Sequence, residues 1–127
     1  MYRPRHFANE DLERSLDLMR QAPLATLISV GKDSEPLVSH VPLVAERGEG
    51  GLFLAGHLAR ANAHWKVLDG GVATAIFHGP NCYITPAWYE ANSVPTWNYA
   101  VVHARGVVSL IEDRVGSTEC LKAFTAQ

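Results

Sequence analysis

The stretch GHLARANAHWKVL, from Gly56 to Leu68, concentrates the side chains best suited to chemistry: two histidines, an arginine, an asparagine and a tryptophan behind a glycine. It follows LFLAG, an apolar run that reads as a buried strand. If a helix starts near His57, then His57, Arg60 and His64 stand at i, i+3 and i+7 and share one face. The first-turn N–H groups of such a helix are unsatisfied donors with partial positive charge. An arginine beside them adds a planar donor fork suited to phosphate. Gly56 lets the backbone come close to a ligand. The same pattern also fits a surface amphipathic helix whose polar face happens to hold these residues, and spacing alone does not separate the two.

Other candidates are weaker. His40 lies inside the apolar run LVSHVPL, where Leu37, Ser39, Val41 and Leu43 fall on one strand face and Val38, His40, Pro42 and Val44 on the other. A lone histidine there is either a satisfied core or dimer-contact residue or a ligand contact. The segment YITPAWYEANSVPTWNY holds Tyr83, Trp88, Tyr89, Trp97 and Tyr99. Its prolines and polar gap predict a structured loop, whose aromatics either stack on a flat ring system or fold back over the core. His103 and Arg105 share the polar face of a long strand, placed for a ligand or for a cross-strand ion pair. The pair Glu112–Asp113 reads as a solvated turn. There is no GxSxG elbow, phosphate loop or GxGxxG turn. The histidines show no HExxH or HxxxH pairing, so no metal site is expected.

The elements that would position these residues follow from periodicity. ANEDLERSLDLMRQAP predicts a helix with Asn9 as N-cap and Leu12, Leu16 and Met19 as its apolar stripe, ended by Pro23. ATLISV, EPLVSHVPLVAE and LFLAG predict three strands separated by GKDS and RGEGG turns. Pro42 inside the second suggests an edge or a bulge. Leu58–Leu68 is expected to be a helix with Leu58, Ala61, Trp65 and Leu68 on its apolar face. VATAIFHG predicts a fourth strand, YITPAWY a fifth, and NYAVVHARGVVSLIE the longest. GSTECLKAFTAQ begins like a helix capped by Ser117. The fold class is mainly β: an antiparallel barrel with flanking α-helices.

At 127 residues the chain is expected to form one domain, spanning 1–127. A formal net charge of −2, with 11 basic against 13 acidic residues, gives no support to direct DNA binding, nor does the lack of a helix-turn-helix signal. Cys82 and Cys120 show no metal or disulfide spacing, and no signal peptide or spanning segment is evident. A cytoplasmic protein without membrane contact is therefore expected.

MYRPRHF, SHVPL, GHLARAN, FHGPNCYITPAWY and VPTWNYAVVHARG together resemble, in this order, the PaiB-like negative transcriptional regulators. These are FMN-binding proteins of the split-barrel superfamily that includes pyridoxamine 5′-phosphate oxidase. The resemblance implies a six-stranded antiparallel Greek-key FMN-binding split barrel that pairs as a homodimer, with FMN at the interface. It implies contacts to the FMN phosphate and ribityl chain from Ser39, His40, His57, Arg60 and Asn62. Thr85, Trp97 and Asn98 would approach the ring or the partner subunit. Two departures stand out: Ala63 replaces a usual proline, and a C-terminal segment with a last strand, common in the family, is not found after Gln127. The implied function is an FMN-binding regulator. The alternatives are a small flavin-dependent oxidoreductase of unknown substrate, or a barrel that mediates assembly without flavin. No residue declares itself catalytic.

Overall fold

The computed structural model describes residues 2–48, 50–90 and 93–112. The helix α1 runs Leu12–Gln21 and is followed by β1 (Leu24–Val30), β2 (Pro36–Gly48) and β3 (Gly51–Gly56). A short 3-10 helix, Ala63–Val67, precedes β4 (Val72–Ile84), and β5 (Thr96–Val107) closes the described sheet. All pairings between these strands are antiparallel, in the order β3-β2-β1-β4-β5. The final segment expected to be a helix, with Ser117 at its start, lies outside the described residues, as does Cys120.

Helix α1 begins two residues later than its sequence suggests. Asp11, not Asn9, is the N-cap, and its carboxylate accepts from the N–H groups of Glu13 and Arg14 at 2.9 and 3.3 Å. A carboxylate in this place satisfies orphan donors and meets the positive end of the helix dipole. Asn9 instead supports the cap, its side-chain oxygen accepting from the Asp11 N–H at 3.2 Å. The buried stripe is Leu16 and Met19, with Leu18 packed beside them, whereas Leu12 is half exposed. An ion pair between Arg47 and Glu13 links α1 to the far end of β2.

The sheet buries one face against α1. Ala25 of β1, Val41 and Leu43 of β2, and Ala75 and Phe77 of β4 form the core with Leu16 and Met19. This alternation follows the period of two, since successive strand residues point to opposite faces. At Gly79 α1 packs close against β4: a Cβ there would stand 2.8 Å from Leu18 Cδ1 and 3.1 Å from the Ala100 carbonyl oxygen.

Three strand expectations are corrected. Pro42 does not mark an edge strand, because β2 lies between β1 and β3. It falls where β2 stops pairing with β1, at Leu24↔Pro42, and starts pairing with β3, at Leu43↔Gly56. A residue without an N–H is tolerated at that hand-over. YITPAWY is not a separate strand: Tyr83 and Ile84 end the thirteen-residue β4, which continues through an irregularity between His78 and Asn81. Thr85 then caps a single 3-10 turn, Pro86–Trp88. Finally, the longest strand starts earlier than NYAVVHARGVVSLIE suggests: β5 takes in Trp97 of the expected loop, which pairs with Tyr83, ahead of Asn98 and Tyr99, which pair with Cys82 and Asn81.

The packing difference along α1 gives a direct expectation. Leu16→Ala, at a site 1% exposed, should lower unfolding free energy by about 2–5 kcal/mol. Leu12→Ala, at a site 50% exposed, should change it by less than about 0.5 kcal/mol. Urea unfolding followed by tryptophan fluorescence measures both.

Candidate functional site

The segment after β3 does not form the expected helix. Gly56 ends β3 opposite Leu43, and a Cβ there would collide with the Leu43 side chain and stand 3.0 Å from the Pro42 oxygen. Glycine is thus required by strand packing at the β2–β3 corner. The chain then forms a turn at 59–62, closed by the Asn62 N–H donating to the Ala59 carbonyl at 2.8 Å. Only Ala63–Val67 is helical, and it is a 3-10 helix. His57, Arg60 and His64 therefore do not share a helix face. Nor is a free helix N-terminus offered to an anion, because the Asn62 side chain already accepts from the His64 N–H at 3.1 Å. An asparagine cap placed five residues past His57 explains the difference: it starts the helix late and leaves the intervening residues free to turn.

The turn separates Arg60 from His64. Arg60 is exposed at the tip, its guanidinium 5.0 Å from the centroid of the Trp65 ring. The Trp65 indole N–H donates to the Arg60 carbonyl at 3.0 Å and pins the turn. Lys66, not singled out by sequence, brings its ammonium to 6.0 Å from the same ring. Two cations around one indole make a local positive site, favourable for both through the ring's negative face. Among the described residues, neither cation is paired with a carboxylate.

His64 points the other way and is 3% exposed. Its Nε2 lies 2.8 Å from Ser29 Oγ of β1, and its Nδ1 lies 2.8 Å from Ser39 Oγ of β2. The Asn62 amide donates to the same Ser39 oxygen at 3.0 Å. The four side chains form one network that joins two strands to the turn. A neutral imidazole suits it, with one ring N–H donating to a serine oxygen while the other nitrogen accepts from a serine hydroxyl. Burial also holds the His64 imidazole below its ordinary value of 6.5, because the charged form loses its hydration. Sequence reading missed this residue as the centre of the network. The available signal was Ser39, a hydroxyl on the apolar face of β2 that had to find a partner.

The eight residues implied by the family motifs fall into separate groups. Ser39 and Asn62 are in contact, and His57 and Arg60 belong to the adjoining turn. His40 lies on the opposite face of β2, exposed, with its Nδ1 3.3 Å from Thr26 Oγ1. Thr85, Trp97 and Asn98 sit at the far end of the β4–β5 ribbon, where the Trp97 indole N–H donates to Asn81 at 3.1 Å. The register aligns His40, Thr26, Ile76 and His103 across four strands. Trp97 is six residues from His103, roughly 20 Å along the strand and roughly 14 Å across from β2 on standard strand spacings. Within one chain the two groups do not meet.

Over the residues that register pairs across β1, β2, β4 and β5, the outer face carries no carboxylate. Register places Val38 and His40, Thr26 and Ile28, Thr74, Ile76 and His78, and Val101, His103 and Arg105 on it. Trp97 and Tyr99 continue the same face, and the Tyr83 and Trp97 rings lie 6.1 Å apart. No described element covers it, and Val38, Val30, Val107 and Tyr99 are each more than half exposed.

The buried imidazole makes stability depend on pH. Above about 6.5 His64 is neutral in both folded and unfolded chains, and its network is fully stabilising. Below that value the unfolded chain takes up a proton that the folded chain resists, so stability falls as pH drops. The loss reaches at most about 1.4 kcal/mol per pH unit while the folded ring stays neutral. In His64→Gln that part of the dependence should vanish, leaving a lower but flatter profile in urea titrations from pH 8 to 5.

The chain is 29% identical over 113 residues to "Protease synthase and sporulation protein PAI 2" of Bacillus subtilis (strain 168), a match covering 88% of this chain and 54% of that protein. It thus spans about half the length of that relative. It is 33% identical over 137 aligned positions to "Uncharacterized protein YKL070W" of Saccharomyces cerevisiae, covering 89% of this chain and 80% of that one. The relation to PaiB-like proteins expected from the motifs is borne out. Because all of residues 1–127 match the family described as "Putative FMN-binding domain", the chain belongs to that family.

Proposed function

We propose that this chain binds FMN between two copies of itself and serves as a flavin-dependent regulator of the PaiB type. The observation that carries the reading is the 59–62 turn, which presents Arg60 beside Lys66 and Trp65 and is tied to β2 through Asn62 and Ser39. The donor set fits a phosphate: a guanidinium and an ammonium without carboxylate partners among the described residues. Arg60 and Lys66 would hold the phosphate, and Ser39, Asn62 and His57 would border the ribityl chain. Thr85, Trp97 and Asn98, remote in one chain, would reach the ring from the second copy. When bound, FMN supplies a reversible redox centre.

Support for the homodimer is the unmet separation of these two groups, together with an uncovered four-strand face rich in valine, isoleucine and aromatic residues. The strand order β4-β1-β2-β3 supports a Greek key. The hand-over of β2 from β1 to β3 at Pro42 supports a barrel corner, which a sixth strand would help close. No helix among the described residues is long and apolar enough to cross a membrane, in keeping with action in the cytoplasm. Regulation of transcription rests on the family resemblance and on the similarity to the Bacillus "Protease synthase and sporulation protein PAI 2". The net charge of −2 favours an effect through a partner protein over direct contact with DNA.

The purified chain should run as a dimer in light scattering and retain added FMN through gel filtration, with a protein-perturbed flavin spectrum. Arg60→Ala should weaken FMN binding by about 1.5–3 kcal/mol, the range for a charge-assisted hydrogen bond. Unchanged affinity in a folded Arg60→Ala dimer would remove the phosphate role from this turn. A dimer that retains no FMN would leave only assembly.

A further inference from the structure

We propose that His64 is the positioning residue of the flavin site: by bridging Ser29 of β1 and Ser39 of β2 it holds the 57–62 segment in the one placement that can receive a phosphate. The inference rests on the flavin reading above and adds to it a residue that touches no ligand.

The geometry carries the argument. His64 is the second residue of its 3-10 helix, so the position of its ring and the start of that helix are coupled through two intervening peptide groups. Both ring nitrogens are engaged at 2.8 Å, one on each of two neighbouring strands. Asn62 couples the turn to the same point twice, accepting from the His64 N–H and donating to Ser39 Oγ. Arg60 is two residues before Asn62, and the Trp65 indole, next to His64 in sequence, grips its carbonyl. A shift of the imidazole therefore moves Asn62 and Trp65 together, and with them both supports of Arg60.

The groups hydrogen-bonded to the ring are neutral. Ser29 approaches from β1, Ser39 from β2 and Asn62 from the turn, and no charged side chain hydrogen-bonds to the network. A protonated imidazole would need both ring nitrogens to donate. Whichever serine hydroxyl donates to the neutral ring would then lose that acceptor, and Ser39 would receive hydrogens from His64 and Asn62 at once. Acid thus weakens the hold on the turn, in the direction in which burial already disfavours the charged ring.

Ser29 provides the test, because it lies on the far side of the imidazole from the turn and is 5% exposed, so it meets no ligand. FMN is titrated by fluorescence quenching at pH 7.5 into the full chain, Ser29→Ala and Ser29→Thr, with circular dichroism to establish that each is folded. Ser29→Ala should bind FMN about five- to tenfold more weakly, as the loss of one hydrogen bond to a positioning group implies. Ser29→Thr, which restores the hydroxyl, should recover most of that loss. In parallel, the backbone amides of Arg60 and Asn62 are followed by NMR from pH 8 to 5 without FMN. They should move with the titration of His64, at a midpoint below 6.5. Equal FMN affinity in folded Ser29→Ala, or turn amides indifferent to the His64 titration, would overturn the positioning role. If the parent chain binds no FMN while the amides follow His64, the flavin reading fails and the coupling of His64 to the turn stands.

Discussion

A neutral imidazole held between two serine hydroxyls is the constraint on which the rest of this structure depends. His64 would be expensive to bury alone, because two polar nitrogens would go without partners. Paired on both sides at 2.8 Å, it becomes a cross-link between β1, β2 and the segment that follows β3. The cross-link works without a charge, which matters in a core whose other buried members are apolar apart from Ser29. An ion pair in the same place would need each charge stripped of water, at a cost that geometry rarely offsets in full. The hydroxyl–imidazole arrangement avoids that cost and still imposes direction.

Direction is what the surrounding backbone requires. Strand β2 serves two partners in turn, β1 up to Pro42 and β3 from Leu43 onward. A proline supplies no ladder donor at the hand-over, and Gly56 lets β3 pass close beneath Leu43 and Pro42. Together they turn the sheet, and the 57–62 segment leaves from that corner. Without the Ser39 anchor, a five-residue 3-10 helix has little to hold its entry, since such helices are short and weakly bonded.

The two faces of the sheet then take different roles. One is closed by α1 through Leu16, Leu18 and Met19 over Phe77 and Gly79. The other carries apolar side chains, three histidines and Arg105 without a carboxylate among them. A chain with more acidic than basic residues has kept acid off this surface, and its aromatic end at Tyr83, Trp97 and Tyr99 continues the same face. That distribution is the physical basis for reading it as an interface.

Much of this was legible in the sequence, and the failures are informative. Alternation in β2 and β5, the apolar runs of β1 and β4, the stripe of Leu16 and Met19, and the stop at Pro23 were all evident, because period and proline act locally. Motif blocks carried the family. Helical spacing misled at His57, Arg60 and His64, since a late asparagine cap converts the first half of an apparent helix into a turn. YITPAWY was expected as a fifth strand, whereas β4 continues through Gly79 and Pro80 and takes in Tyr83 and Ile84. Local chemistry thus determined which residues alternate, which segments form elements and which side chains suit a phosphate. Only the tertiary structure decided that Ser29, Ser39 and His64, up to 35 positions apart, share one network, and that Arg60 and Trp97 do not meet within one chain. Such pairings follow from strand register and the turn at the β2–β3 corner, and neither is set by residues near each other in sequence.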